Sequence, residues 1–148
     1  MKLTTKGRYA VLALTEIALS NRNKLIKISE ISESQNISST YLEQILSNLK
    51  NKGFVESLRG PSGGYKLALD PENIRMGDVI EAIEGKIEAK GCVNKDGSCT
   101  GLSGKCLNHD LWDELGKQIE LFLDHISLKD IIDRKVLGRS RAPSPFID

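Results

Sequence analysis

The chain has 148 residues, of which 28% are charged and 39% are apolar, and its formal net charge is +1. That length suits one compact domain or two small lobes with a modest core. A net charge so close to zero argues against nucleic-acid binding through bulk charge. No apolar run approaches membrane length and the first residues lack an apolar signal region, so we expect a soluble cytoplasmic protein without a membrane partner.

The charges are distributed unevenly along the chain. Residues 1–60 carry nine Lys or Arg against five Glu, whereas the remainder carries twelve Lys or Arg against fifteen Asp or Glu. A basic N-terminal half is a mild electrostatic signature of a polyanionic partner, although an ordinary solvated surface gives the same pattern.

The N-terminal half has the pattern of a winged helix-turn-helix. Apolar residues spaced three to four apart predict three helices, over residues 5–20, 28–35 and 39–52. Asn36 fits the turn between the second and third helices because Asn tolerates positive φ, and Gly53 fits a helix stop. Two extended segments, residues 54–58 and 65–69, then predict a hairpin with a Gly/Pro-rich tip.

The C-terminal half predicts helices and a dimer contact. Helices are expected over residues 76–84 and 108–125, and Ser127 starts a short last helix with a capping-box variant to Asp130. In the long helix, apolar residues recur at alternating spacings of three and four: Trp112, Leu115, Ile119, Phe122 and Ile126. This spacing is typical of a coiled-coil seam, and we favour a dimerisation helix over one that folds back on its own domain.

Three domains or segments follow from this order. We expect a winged helix-turn-helix DNA-binding domain at residues 1–75, and a ligand loop with dimerisation helices at residues 76–137. A disordered tail should occupy residues 138–148. The fold class is mostly α with a small β-hairpin wing and a long C-terminal dimerisation helix.

One glycine-rich segment, which follows the helix predicted over residues 76–84, holds all the cysteines of the chain and a histidine. Its candidate ligands are Cys92, Cys99, Cys106 and His109. Thiolates and imidazole are the ligands that iron and zinc prefer, and the segment has little that could build a core. Clustered cysteines in a reducing cytosol act as ligands or redox groups more often than as disulfides. The segment therefore predicts a metal centre.

The third predicted helix has a polar face that is free to contact DNA. Once its apolar stripe is turned inward, the remaining residues are Ser38, Ser39, Thr40, Tyr41, Glu43, Gln44 and Ser47. Gln44 can pair with adenine, and Tyr41, off the apolar stripe, can reach a phosphate or a thymine methyl. Glu43 can discriminate by accepting from cytosine N4, or it can close a capping box with Thr40.

The hairpin tip offers a second contact. Arg59, with Gly60 beside it, can enter a minor groove or pair with a phosphate, although a solvated turn arginine is the simpler interpretation. Glycines at this point favour close approach of the backbone to a ligand.

Four sequence motifs resemble the Rrf2 family of bacterial transcription regulators, and most of all its iron–sulfur-cluster-sensing branch. They are LTTKGRYA at 3–10, ISSTYLEQIL at 37–46, VESLRGPSGGY at 55–65 and KCLNHDLW at 105–112. The resemblance implies a homodimer that binds a double-stranded DNA operator and controls iron–sulfur biogenesis genes, and it implies no enzymatic activity. It also implies a [2Fe-2S] cluster, supplied by the iron–sulfur assembly machinery.

The same resemblance assigns roles to individual residues. The cluster ligands would be Cys92, Cys99, Cys106 and His109, and the DNA contacts would be Ser38, Thr40, Tyr41, Glu43, Gln44 and Arg59. The position of Glu43 is associated in the family with a change of DNA-site preference on cluster binding.

The sequence departs from this pattern in two ways. Each interval between cysteines is one residue longer than the resemblance would suggest. Arg8 occupies the position at which the nitric-oxide-sensing branch has an acidic ligand, which argues against that branch. The cysteine-metabolism branch lacks the three cysteines, which argues against it too.

Three alternatives stay open. A Cys3His set could hold structural zinc, although no Cys-x-x-Cys pair is present. Cys106 and His109 could form a nucleophile and its base, although no third orienting residue is evident. A regulator without a cluster could respond to oxidation of its thiols.

Overall fold

A computed structural model describes residues 4–20, 24–87 and 105–140 of the chain. Within these ranges the helices are α1 (Thr5–Leu19), α2 (Ile28–Gln35), α3 (Ser39–Asn51), α4 (Met76–Glu84), α5 (His109–Asp124) and α6 (Leu128–Ile132). Two strands, β1 (Val55–Leu58) and β2 (Gly64–Leu67), form the hairpin, and a 3-10 turn covers Pro71–Asn73. The mostly helical winged fold predicted from the sequence is confirmed.

The helix-turn-helix depends on a buried stripe along α3. Leu42, Ile45, Leu46 and Leu49 recur at helical spacing, and each has 0% of its surface exposed. α1 packs against this stripe through small and branched residues that are equally buried, among them Ala10, Ala13 and Leu14. Asn36 adopts the left-handed conformation at φ 52° and turns the chain from α2 into α3, as predicted.

The wing is the two-stranded hairpin that the sequence predicted, and one isolated bridge adjoins it. β1 and β2 pair antiparallel, with Val55 opposite Leu67 and Leu58 opposite Gly64. Ile26 forms this bridge, because its N–H donates to the carbonyl of Tyr65 at 2.9 Å and its carbonyl accepts from the N–H of Tyr65 at 2.7 Å. The wing is therefore attached along one side to the segment between α1 and α2.

The C-terminal helices join the same core through a second strand-like pairing. The N–H of Met76 donates to the carbonyl of Ile126 at 2.8 Å, and the N–H of Leu128 donates to the carbonyl of Ile74 at 2.8 Å. Ile126 is 3% exposed and belongs to the hydrophobic core of the chain. The prediction that Ile126 continues the apolar seam of α5 is therefore wrong, because α5 ends at Asp124 and the chain turns inward.

The last helix begins at the predicted capping box. The Ser127 hydroxyl accepts from the N–H of Asp130 at 3.1 Å, and the N–H of Ser127 donates to the Asp130 carboxylate at 3.0 Å. That backbone hydrogen bond from Ser127 is the main reason why the pKa of Asp130 lies below its usual value.

One hydrophobic core extends across the expected domain boundary at residue 75, since Ile74 and Val79 lie in the same buried cluster as Leu42. The boundary itself stays a prediction. In the expected disordered tail, Arg139 forms an ion pair with Asp130 at 2.9 Å, while residues 141–148 lie outside the described ranges. No helix in the described part of the chain is long and apolar enough to cross a bilayer.

Candidate nucleic-acid interface and metal-ligand turn

The polar face of α3 is open to solvent from Ser38 to Ser47. Its exposed residues are Ser38, Ser39, Thr40, Glu43, Gln44 and Ser47. The structure thus places together all but one of the helix residues that the sequence nominated for DNA contact. The opposite face is buried in the core, so α3 is held rigidly while its polar face stays free.

The N-terminus of α3 keeps its hydrogen-bond donors unused by side chains. Ser38 is the N-cap residue and makes no side-chain capping bond, and the first turn holds no acidic residue. The first backbone N–H groups of a helix lack intrahelical partners and favour an anion such as phosphate. This end of α3 therefore suits contact with a DNA backbone.

The capping box between Thr40 and Glu43, one of the two interpretations left open for Glu43, does not form. The helix begins at Ser39, so Thr40 lies inside the first turn and Ser38 takes the N-cap position. Glu43 is exposed, and no hydrogen bond or ion pair engages it among the described residues. The carboxylate of Glu43 is consequently available for a partner outside the chain.

Tyr41 is anchored more firmly than the sequence indicated. The prediction that it lies off the apolar stripe fails in part, because its side chain is half-buried against the core. Its ring meets that of Tyr9 edge to face, with 5.6 Å between centroids and 80° between planes. The pair links α1 to the DNA-facing helix.

The tip of the wing presents Arg59 and Gly60, both exposed. Gly60 has φ 115°, and its carbonyl accepts from the N–H of Gly63 at 2.9 Å to close the turn. A Cβ at Gly63 would lie 2.1 Å from the carbonyl oxygen of Leu58, so only glycine fits there. Leu58 is 62% exposed at the same tip, a feature that sequence reasoning missed.

Two of the four predicted metal ligands meet in one turn at the start of α5. The N–H of His109 donates to the carbonyl of Cys106 at 3.1 Å, and His109 is the first residue of the helix. Its side chain is buried with 4% exposed, and Cys106 is half-buried and not in a disulfide. Cys92 and Cys99 lie outside the described residues, and within those residues no three candidate ligands come together.

The donors of this turn fit a cluster or zinc. A thiol sulfur and an imidazole within one turn offer a soft and a borderline ligand from neighbouring positions. Because His109 opens α5, a group bound there would be attached directly to that helix. His125 lies at the other end of α5, exposed, with Nδ1 at 2.6 Å from the carbonyl oxygen of Leu121, as expected for a surface residue.

α5 leaves much of its apolar surface uncovered. Trp112 and Leu115 are each 40% exposed, Leu121 is 52% exposed and Phe122 is 37% exposed. Among the described residues of α5, His109 and Gly116 are the buried ones. The helix thus contacts the rest of the described chain along a narrow line.

A recognition helix with a free polar face, followed by a glycine-tipped wing, defines a winged-helix DNA-binding regulator. The sequence matches the model of the Rrf2 family, described as an iron-dependent transcriptional regulator, over residues 3–134. The chain belongs to the Rrf2 family.

Relatives of known name agree with this assignment. The chain is 46% identical over 137 residues to the HTH-type transcriptional regulator IscR of Aliivibrio salmonicida, covering 92% of this chain and 80% of that protein. These relatives are transcriptional regulators, which confirms the prediction that the chain is not an enzyme.

Two solved structures are similar over nearly their whole length. CymR, the global cysteine regulator of B. subtilis, superposes with a TM-score of 0.77 at 31% identity and covers 90% of this chain and 98% of its own. IscR of T. potens gives 0.73 at 30% identity, with 97% and 94% covered. The backbone likeness alone therefore does not distinguish a cysteine regulator from IscR.

Proposed function

We propose that the chain is a homodimeric DNA-binding regulator that senses iron–sulfur cluster status through a [2Fe-2S] cluster and controls iron–sulfur biogenesis genes. The observation that carries this proposal is the turn of Cys106 and His109 at the first residue of α5. It attaches half of the ligand set to the helix whose apolar face is uncovered. The 46% identity to a protein named IscR supports the choice of ligand.

The ligands would be Cys92, Cys99, Cys106 and His109. A neutral imidazole in place of a fourth thiolate removes one negative charge from the site. The lower negative charge raises the reduction potential of the cluster. When bound, the cluster supplies a one-electron redox centre whose presence depends on iron and sulfide supply. Cys106 and His109 would attach that centre to the start of α5.

DNA would be read by the first half of α3 and by the wing. Gln44 can donate to and accept from an adenine edge in the major groove, and Glu43 can accept from cytosine N4. Arg59 at the tip of the wing would contact a phosphate or a narrow minor groove. The DNA backbone would be contacted by hydroxyl and N–H groups of Ser38, Ser39, Thr40 and Gly60. Tyr41 would reach the same backbone from its partly buried position.

A second copy of the chain would cover α5. Four large apolar side chains on one 16-residue helix are 37–52% exposed, more than a single surface helix usually leaves in water. Two α5 helices related by a two-fold axis would bury the apolar face of each other. The same dimer would place its two α3 helices in successive major grooves. The operator would then consist of two related half-sites.

Anaerobic purification with a visible spectrum and iron and sulfide counts tests the ligand assignment. We expect visible absorption with about two iron and two sulfide per chain. Alanine at Cys92, Cys99, Cys106 or His109 should abolish or shift that absorption, while His125→Ala should keep it as the matched control. A colourless wild type with one zinc, or unchanged spectra in all four variants, would overturn the assignment.

The likeness to CymR supports a second candidate, a thiol-responsive regulator without a cluster. Cys106 is half-buried, and a cysteine thiol can be oxidised to a sulfenic acid or a disulfide. This candidate predicts a colourless protein whose affinity for DNA changes with peroxide and recovers with dithiothreitol.

A further inference from the structure

The last residue of α4 caps the first turn of α1 from far along the chain. The Glu84 carboxylate accepts through Oε1 from the N–H of Thr4 at 2.7 Å and from the N–H of Gly7 at 3.2 Å. The Thr4 hydroxyl donates to the same oxygen. These N–H groups belong to the N-cap and to the third helical position, which have no partner inside the helix.

Glu84 replaces a local cap. Thr4 is the N-cap residue of α1 but makes no side-chain capping bond to its own helix. In an ordinary capping box, a Glu at the third helical position would reach back to the N-cap. Here that position is Gly7, and the carboxylate comes from a residue 80 positions away from Thr4. The cap therefore joins two helices that are distant in sequence.

Gly7 makes room for this carboxylate. A Cβ built at Gly7 would lie 2.9 Å from Cδ of Glu84 and 3.1 Å from each of its carboxylate oxygens. Gly7 sits inside a helix without positive φ, where glycine has no conformational advantage over alanine. The close approach of Glu84 accounts for the glycine.

We propose that Glu84 is a positioning residue that links the ligand segment to the DNA-reading helix. α4 ends at Glu84, and the segment that carries Cys92 starts at the next residue. α1, which Glu84 caps, holds Tyr9 against Tyr41 of α3. Strain on the end of α4 is thereby transmitted to α1 and from there to α3. This inference rests on the proposed function, since it supplies the contact through which ligand binding changes DNA binding.

The cap is built in a way that allows it to open. Its second oxygen, Oε2, is buried and has no hydrogen-bond partner among the described residues. A buried acceptor without a donor is costly, so the closed arrangement is less stable than one in which both oxygens are satisfied. Opening the cap would return this oxygen to water, which offsets part of the cost of breaking the bonds to Thr4 and Gly7.

The coupling is tested with a duplex selected from a random pool by the cluster-loaded wild type. Its dissociation constant is measured for loaded and cluster-free protein, and couplings of this kind are typically about 5–150-fold. In Glu84→Ala we expect the ratio to fall to within about twofold of one, while the visible spectrum stays that of the wild type. Glu81→Ala, exposed one turn earlier on α4, should keep the wild-type ratio.

The outcomes separate this inference from the proposed function. A wild type whose loaded and cluster-free forms bind alike would overturn the proposed function and the coupling together. A wild type that responds to its cluster, with a Glu84→Ala variant that responds equally, would overturn the coupling alone.

Hydrogen exchange in the cluster-free protein tests the cap itself. Alanine stabilises a helix more than glycine does. If Glu84 did not cap α1, Gly7→Ala would therefore slow amide exchange in the first turn of α1. Since Glu84 does cap α1, we expect faster exchange, because the new methyl group displaces the carboxylate. Gly7→Ala combined with Glu84→Ala should exchange no faster than Glu84→Ala alone, since both remove the same contact. Slower exchange in Gly7→Ala, or additive effects, would overturn the cap.

Discussion

α3 and α5 are both amphipathic, but they differ in what covers their apolar faces. The four apolar residues of the α3 stripe are each 0% exposed and lie in the core of the protomer. On α5, by contrast, Trp112, Leu115, Leu121 and Phe122 are 37–52% exposed. The apolar face of α3 is covered within the chain, whereas much of the apolar face of α5 is exposed.

This difference indicates that the apolar residues of the two helices serve different purposes. The residues of α3 must first build a protomer, and its polar face is then free to read DNA on a rigid support. α5 contributes few buried residues to the protomer, so its apolar residues are better explained by contact with a second copy. Substitutions on the two helices should accordingly affect different measurements.

The largest effect is expected in the core under α3. Leu46→Ala removes a fully buried side chain and should lower the free energy of unfolding by about 2–5 kcal/mol. Ser47→Ala, exposed one residue later, should change it by less than about 0.5 kcal/mol. Urea unfolding monitored by circular dichroism measures both. Equal effects of the two variants would contradict the burial of the α3 stripe.

The next effect should appear in assembly. Leu115→Glu introduces a charge on the exposed face of α5 and should weaken the proposed dimer by at least about 2 kcal/mol, or roughly 30-fold. Its helical circular dichroism should stay close to that of the wild type. Leu69→Glu is a matched control, since Leu69 is 44% exposed and Leu115 is 40% exposed. Sedimentation equilibrium measures the dimer dissociation constants of both variants. If Leu115→Glu dimerises as tightly as the control, α5 is excluded as the dimer contact.

A third effect distinguishes the two DNA-facing elements. Gln44→Ala should lose about 1–3 kcal/mol of discrimination at one base pair, because a bidentate contact to a base edge is removed. Arg59→Ala should weaken binding to all sequences and reduce the salt dependence by about one phosphate contact. Fluorescence anisotropy with selected and random duplexes at several salt concentrations measures both. Base readout by Gln44 is refuted if its variant weakens both duplexes equally.

The smallest effect concerns the point where the chain leaves α5 and returns to the core. Ser127→Ala removes the cap of α6 and should cost about 1 kcal/mol at pH 7. The Ser127 hydroxyl also donates to the Asp130 carboxylate at 3.0 Å. The pKa of Asp130 in the folded protein lies below its unfolded value, chiefly because of the backbone N–H of Ser127, which alanine keeps, and in smaller part because of this hydroxyl. The stabilisation from the hydroxyl–carboxylate bond is present above the unfolded pKa and is lost as pH falls through the folded pKa. The difference between wild type and variant in thermal unfolding should therefore narrow in part in acid, and a constant difference from pH 7 to pH 3 would count against the hydroxyl–carboxylate bond.

Local patterns were enough to predict most of the helices and the wing. α2 and α4 begin and end at the predicted residues, and the stripe of α3 follows directly from its spacing. α3 also begins at Ser39 as predicted, but the sequence left open whether Glu43 closes a capping box with Thr40, because Ser38 and Thr40 are both good capping types and only backbone geometry separates them.

Contacts between distant parts of the chain could not be predicted. The pairing of Ile26 with Tyr65 uses backbone groups that any residue carries, so side-chain type gives no signal for it. The cap of α1 by Glu84 depends on one carboxylate 80 residues from its partner, which no periodicity reveals. For the metal ligands, the sequence identified the residue types, and the structure adds the turn that joins Cys106 to His109.

The most direct test of the account is a selection of random DNA duplexes by wild-type protein with and without its cluster. If the chain is a cluster-sensing regulator, the two forms should enrich different sequences, or the same sequence with clearly different affinity. The differences should map to the base pairs read by Glu43 and Gln44. Identical enriched sequences and equal dissociation constants for the two forms would contradict the account.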